Sequence, residues 1–194
     1  FRPVTVEGKY SSKAQIKSDG YRVAIDFNPS RWNQKDAYLG FTIENAKEVT
    51  NTLLQEQGLP EFTAGQWLER EDGIRIYTGA QISRCDATVN FATGGPGQLL
   101  AFQRHLAAQE IKGLNSIHYG DTHNTEWNNI SKTRRIIAYN KAQEIIQKQV
   151  PKAHPSNRPY LNGLASWLNM HGVMRIELQN MRNLVPADFR IWPN

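Results

Sequence analysis

Three segments of the chain alternate between apolar and polar residues with a period of two, at 21–28, 82–91 and 173–179. A period of two places the two sets of side chains on opposite faces of a β-strand. In the last segment Met174, Ile176 and Leu178 alternate with Arg175, Glu177 and Gln179. The pattern therefore predicts strands with one small or apolar face and one charged face.

Four other segments carry apolar residues at helical spacing, and glycine or proline marks their ends. The predicted helices cover residues 42–57, 96–111, 141–150 and 158–170. The glycine-rich run 94–97 lacks the lysine and hydroxyl residue of a phosphate-binding loop, so it is predicted to be a strand-to-helix turn. The order ββ-α-ββ-α-ββ-α-α-β favours an α+β fold, with an antiparallel β-sheet, helices packed on one face and an open polar face as the candidate active site.

Length and composition narrow the class of protein. The 194 residues fit one domain over 1–194, and the single cysteine, Cys85, excludes an internal disulfide and favours a reducing compartment. No apolar run is long enough to span a bilayer. The net charge of +5 indicates an anionic partner such as nucleic acid, although a slightly basic enzyme is the alternative. Because the chain starts with Phe1, we expect it to be a fragment of a longer protein.

A hairpin is predicted with strands over 124–128 and 133–140, and Tyr139 lies where the second strand ends and a helix begins. The side chains expected on one face of that strand are Arg135, Ile137, Tyr139 and Lys141. A phenol has a pKa of about 10, and nearby cations favour its ionised form, which can attack phosphorus and form a phosphotyrosine. The alternative is a tyrosine that packs its ring at the sheet edge.

Carboxylates on the predicted strands are candidate metal ligands. Asp86, Glu177 and Asp26 would converge on the polar face if their strands are neighbours, and hard oxygen ligands suit Mg²⁺ or Mn²⁺. The alternative is that Asp86 and Glu177 form ion pairs with Arg84 and Arg175 on a solvated face.

Two further groups of residues have open interpretations. His118, Asp121 and His123 are either metal ligands or part of a solvated turn. Trp32 and Trp127 either stack on unpaired bases or belong to the core.

Several of these motifs, in this order, resemble the gene II replication initiators of filamentous phages. The matching residues are Ile82-Ser83-Arg84-Cys85-Asp86-Ala87-Thr88, Trp127-Asn128, Arg135-x-x-Ala138-Tyr139-x-Lys141 and Met174-Arg175-Ile176-Glu177. Staphylococcal small-plasmid initiators are similar, and Glu144 fits their Tyr-x-Lys-x-x-Glu motif. Both groups are related to the endonucleases that use a His-hydrophobe-His pair. This sequence lacks that pair, and Asp86 and Thr88 occupy the corresponding strand.

The resemblance implies a rolling-circle replication initiator, acting in the cytoplasm of a bacterial host, that nicks origin DNA and later rejoins it. Tyr139 would be the nucleophile that forms a 5′-phosphotyrosine, and Lys141 would stabilise the charge that develops. Asp86, Glu177 and Asp26 would hold a divalent metal. The arginines expected to contact DNA are Arg84, Arg134, Arg135 and Arg175.

Single-stranded origin DNA is the expected partner, together with the host helicase and polymerase. A missing C-terminal region is also expected, because the chain is shorter than a full initiator. Two alternatives remain for the function: a non-catalytic module that binds origin DNA, and a nuclease whose metal activates water.

Overall fold

The computed structural model describes residues 2–38, 40–112, 114–120, 124–128, 134–181 and 191–192. The chain forms two compact units, the first made of residues 1–81 with 191–194 and the second of residues 82–190. The single domain predicted over 1–194 stays a prediction. No helix in the described ranges has the length and apolar character needed to cross a membrane.

The first unit contains a three-stranded antiparallel sheet and one long helix. Its elements are β1 (Val4–Glu7), β2 (Lys13–Ser18), β3 (Val23–Phe27), α1 (Ile43–Glu56), β4 (Trp67–Glu69) and β5 (Arg75–Tyr77). The sheet has the order β1-β2-β3, and β4 pairs with β5 in a separate hairpin. The helix predicted over 42–57 is confirmed, and Thr42 caps its N-terminus by accepting a hydrogen bond from the Asn45 backbone N–H. Ala14, Trp32 and Leu53 form the core of this unit.

The second unit is built on a five-stranded antiparallel sheet with the order β6-β10-β9-β8-β7. Its elements are β6 (Arg84–Ala92), α2 (Pro96–Ala107), β7 (Ser116–Tyr119), β8 (Asn124–Trp127), β9 (Arg134–Asn140), α3 (Lys141–Glu144), α4 (Arg158–Met170) and β10 (Val173–Met181). The helix predicted over 141–150 changes type along its length. The α-helical part, α3, ends at Glu144, and a π-helical turn follows directly over Ile145–Gln149.

The apolar face of the five-stranded sheet packs against α2. Leu99 of α2 contacts a buried cluster formed by Trp127, Ala138 and Met174. Removing this apolar surface from water is the main force that holds helix and sheet together. The α+β fold with antiparallel sheets is confirmed, although three strands, not two, precede each of α1, α2 and α3.

The predicted strand-to-helix turn at 94–97 is confirmed, and it fixes the start of β10. Gly172 follows α4 with a positive φ of 59°, and an added Cβ there would overlap the Gly95 carbonyl oxygen. The Thr93 hydroxyl donates a hydrogen bond to the Gly172 carbonyl at 2.8 Å. This close approach joins the end of β6 to the start of β10, and so sets the register of these two neighbouring strands.

Candidate functional site around Tyr139

The predicted alternation places polar residues of three neighbouring strands on one face of the sheet. Tyr139 of β9 lies opposite Arg175 of β10, and Arg175 lies opposite Asn90 of β6. Two residues along β10, Glu177 lies opposite Thr88. The polar face expected from the sequence is therefore confirmed in the second unit.

Tyr139 is the last residue but one of β9, and α3 begins at Lys141. Asn140 caps α3, because its side chain accepts a hydrogen bond from the Gln143 backbone N–H at 3.2 Å. The strand thus ends where predicted. The Tyr139 hydroxyl donates a hydrogen bond of 2.5 Å to Glu177 Oε1.

This tyrosine–carboxylate pair lines a cavity of about 300 Å³ on the polar face. Residues of β8, β9, β10, α3 and the π-helical turn form the wall of the cavity, so α3 closes one end of the face. Three carboxylates line it, from Glu126, Glu144 and Glu177. Two cations, Arg135 and Lys148, line it as well. The cavity therefore offers both proton acceptors and cations beside one phenol.

Burial raises the pKa of Tyr139 above its ordinary value, and the charge and hydrogen bond of Glu177 raise it further. Arg175 acts in the opposite direction, with a smaller effect. The expectation that neighbouring cations lower the pKa of this phenol is therefore wrong, because burial and a carboxylate in contact outweigh them. A neutral phenol needs a proton acceptor before it can attack, and Glu177 is in contact with its proton.

Lys141 forms a buried ion pair behind Tyr139. Its ammonium lies 2.7 Å from Glu144 Oε2, and the two side chains are 4% and 18% exposed. Burial lowers the pKa of Lys141, whereas the Glu144 carboxylate raises it. Lys141 Nζ lies 5.9 Å from the centroid of the Tyr139 ring. Lys141 is therefore a buried cation beside the tyrosine ring, and its charge is already paired within α3.

The structure places two of the three predicted carboxylates, Asp86 and Glu177, on one face of neighbouring strands, because Glu177 lies opposite Thr88 and Asp86 is two residues from Thr88 along β6. Asp86 lies opposite Gln179, four residues along β6 from the level of Tyr139, which is about 13 Å along the strand. Its carboxylate pairs with Arg84 at 2.7 Å, as the ion-pair alternative expects. Asp26 is exposed on β3, a strand of the three-stranded sheet, so the idea that its strand neighbours the other two was wrong.

The predicted DNA-contacting arginines have different surroundings. Arg84 is half-exposed, and Arg135 lies 3.3 Å from Glu126 with its side chain 31% exposed. Arg175 is buried, and its Nε donates a hydrogen bond of 2.6 Å to Asn90 Oδ1. A DNA contact by Arg175 thus does not follow from its placement. Arg134 begins β9, but its side chain falls outside the described part of the chain.

Other candidates are resolved more simply. Trp32 and Trp127 are buried, which decides for core packing and against base stacking. His118 Nδ1 lies 3.2 Å from the Thr125 hydroxyl, whereas Asp121 and His123 fall outside the described residues.

Glu126 is a site residue that the sequence motifs did not reveal. It lies on β8 opposite Ile137, so its side chain shares the polar face, and it pairs with Arg135. The predicted hairpin, which sets residues 124–128 beside the strand of Arg135 and Tyr139, was the signal that could have found it.

A divalent cation fits the cavity by the chemistry of its ligands. Among the described residues no three His, Cys, Asp or Glu side chains are grouped closely enough to hold a metal ion. However, Mg²⁺ is commonly bound by one or two carboxylates, with the remaining ligands coming from phosphates and water. Glu126 and Glu177 line the same cavity and meet that requirement, with Glu126 sharing its carboxylate with Arg135 and Glu177 sharing its own with Tyr139. Glu144 is held by both Lys141 and Gln149.

The fold and the site define an α+β protein that presents a tyrosine–carboxylate pair on the polar face of an antiparallel sheet. The chain is 29% identical, over 182 residues, to a replication-associated protein of Escherichia phage If1. The match covers 84% of this chain and 55% of the relative, so the chain spans about half the length of that protein. The resemblance to gene II-type initiators of filamentous phages is confirmed by this match. No protein-family model matches the chain, and no solved structure shows significant similarity to it.

Proposed function

We propose that this chain is the nicking and rejoining part of a rolling-circle replication initiator, with Tyr139 as the nucleophile. The phage replication protein supports the replication role. The hydrogen bond from Tyr139 to Glu177 supports the chemistry, because it joins a nucleophile to a proton acceptor inside a cavity that also holds cations.

The proposed reaction is a phosphoryl transfer between two oxygens. Glu177 takes the phenolic proton, and the Tyr139 oxygen forms a bond to the scissile phosphorus. The bond from phosphorus to the 3′ oxygen breaks, and that oxygen takes a proton from solvent water and leaves as a 3′-hydroxyl, while Glu177 releases its proton to solvent. The product is a 5′-phosphotyrosine, and attack by a 3′-hydroxyl reverses the steps. Rejoining needs no nucleotide cofactor, because each step exchanges one phosphodiester for another.

Mg²⁺ or Mn²⁺ is part of this proposal, with Glu177 and Glu126 as its protein ligands. Such a cation would polarise the scissile phosphate and stabilise charge at the reacting centre. Arg135 and Lys148 line the same cavity and would bind the phosphates on either side of the scissile bond. Single-stranded origin DNA is the proposed substrate, and the 3′-hydroxyl would serve a host polymerase after a helicase opens the duplex.

The test is covalent capture of DNA by the protein. A pool of random-sequence single-stranded oligonucleotides, labelled at the 3′ end, is incubated with the protein and Mg²⁺ or Mn²⁺ and separated on a denaturing gel. We expect labelled protein from the wild type, because the fragment with the 3′ end stays on the tyrosine. Tyr139→Phe should form no adduct while it retains DNA binding.

Tyr119→Phe is the matched control, because Tyr119 is an exposed tyrosine on β7 of the same sheet. It should form adducts as the wild type does. Adducts formed by Tyr139→Phe would refute the assignment of the nucleophile. Cleavage that releases a free 5′-phosphate would indicate a nuclease that activates water, and binding without any cleavage would indicate a DNA-binding module.

A further inference from the structure

The outward face of α4 carries two exposed aromatic rings. Tyr160 and Trp167 are 42% and 45% exposed, although aromatic side chains of this size usually bury more of their surface. They are seven residues apart, which puts them on the same helix face about 10 Å from each other. The centroids of the His171 and Trp167 rings lie 4.3 Å apart, and the two ring planes are tilted by 31°. His171 Nδ1 is 2.8 Å from the Trp167 carbonyl oxygen. These contacts restrain the indole while leaving much of it accessible.

Gly163 lies between these two rings on the same face. A glycine in the interior of a helix is destabilising relative to alanine, so it needs a reason. Among the described residues no atom lies within 4 Å of a Cβ added at Gly163, so packing inside the protein does not require a glycine there. Its effect is an open gap between Tyr160 and Trp167, where a flat ligand group has access to the helix surface.

The chain segment that carries this face bears basic side chains and no carboxylates. Residues 145–176 contain no aspartate or glutamate. Lys148, Lys152 and Arg158 are exposed in this stretch. The π-helical turn that carries Lys148 packs against α4, and Lys148 also lines the Tyr139 cavity. Lys148 therefore belongs both to the wall of the cavity and to a turn that packs against the helix bearing the exposed rings.

We propose that this surface, the α4 platform of Tyr160, Gly163 and Trp167 with Lys148, Lys152 and Arg158, binds single-stranded DNA. Exposed aromatic rings bind unpaired bases by stacking, and nearby cations bind the phosphates. Duplex DNA does not offer its base faces in this way, so the platform selects single strands. The role of the platform in serving the Tyr139 cavity rests on the proposed nicking function, whereas its binding of single-stranded DNA does not. The platform would hold the strand that enters or leaves the Tyr139 cavity.

The test measures the affinity of the full chain for a labelled oligothymidylate by fluorescence anisotropy at low salt. We expect Trp167→Ala to weaken binding by about 5- to 150-fold, which is the usual loss of one stacked base. Trp167→Phe should retain most of the affinity, because it keeps an aromatic ring. Trp67→Ala is the matched control. Trp67 is 51% exposed on β4 with a cation, Arg75, 5.3 Å from its ring, and its loss should leave the affinity unchanged.

Gly163→Leu tests the gap without endangering the fold, since leucine favours a helix more than glycine does. It should weaken oligothymidylate binding by at least about 5-fold, the lower end of the stacking range, while the protein melts no earlier than the wild type. The double variant Lys148→Gln/Lys152→Gln should reduce the salt dependence of binding. The slope of log affinity against log salt should fall by about 0.7 for each phosphate that the variant no longer neutralises. Lys17→Gln, on the exposed surface of β2, is the control and should keep the wild-type slope.

Three results would overturn this proposal. The first is an unchanged affinity in both Trp167→Ala and Gly163→Leu. The second is an equal loss in Trp67→Ala. The third is a change in self-association measured by sedimentation velocity, with oligothymidylate affinity unchanged, which would make the face an interface between copies of the chain. If binding depends on Trp167 but no covalent adduct forms, the platform stands and the proposed nicking function fails.

Discussion

Replacing Glu177 with glutamine keeps the size of the side chain but removes the charge beside the phenol of Tyr139. Glu177 Oε1 lies 2.5 Å from the phenolic oxygen. At an effective dielectric constant of about 20, two negative charges at that separation repel by about 7 kcal/mol. The phenol therefore cannot lose its proton to solvent while Glu177 stays ionised. Transfer of the proton to Glu177 avoids this repulsion, which is why we assign Glu177 as the acceptor.

Two effects of Glu177→Gln then oppose each other. The pKa of Tyr139 should fall, because the charge of Glu177 is one of its two leading causes of elevation, but burial, the largest cause, remains. The phenol thus stays mostly neutral at pH 7 and has lost its base. General base catalysis contributes about 10²- to 10⁴-fold, so adduct formation should slow by about that factor, or about 3–5 kcal/mol in the barrier.

The assay measures single-turnover formation of the covalent adduct with labelled single-stranded DNA from about pH 7 to about pH 9. Free carboxylates are ionised throughout this range. The wild-type rate should change little, whereas the rate of Glu177→Gln should rise about tenfold per pH unit, because the reaction then depends on ionisation of the phenol. Glu126→Gln is the control: it removes a carboxylate from the same cavity but keeps the base, so any drop in its rate should leave the pH profile unchanged. Wild-type rates and a flat profile in Glu177→Gln would refute the reasoning.

Two further predictions concern stability. Lys141→Met should lower the free energy of unfolding in urea by about 2–4 kcal/mol, because it leaves Glu144 without its buried partner. Adding Glu144→Gln should restore at least about 1 kcal/mol. If the double variant instead loses the sum of the two single losses in unfolding free energy, the pairing is contradicted. Gly172→Ala should cost about 2–4 kcal/mol, since it combines a positive φ with a clash against the Gly95 carbonyl. Gly163→Ala, at an open helical position, should instead stabilise the protein by about 1 kcal/mol, and equal effects of the two substitutions would contradict the close approach at Gly172.

The sequence by itself determined the local elements and the two faces of the central strands. The alternation in residues 173–179 is a property of neighbouring residues, so it predicted which side chains of β10 share the polar face. The end of β9 and the start of a helix beside Tyr139 were predicted for the same reason, since the turn in backbone direction is encoded within a few residues. The antiparallel α+β architecture followed from the order of these elements.

Only the tertiary structure decided which of these residues meet. Pairing register is set by contacts between segments far apart in sequence, and it placed Asp86 opposite Gln179 while it brought Glu126 to Arg135. The sheet to which the strand of Asp26 belongs was likewise a question of pairing.

Burial is also a property of the assembled fold, because a side chain's exposure depends on what packs over it. Trp127 and Trp167 are chemically the same residue, yet the first is buried under α2 and the second is exposed on α4. For the same reason the sequence indicated the cations near Tyr139 but not the direction of its pKa, which desolvation and the contact with Glu177 decide together.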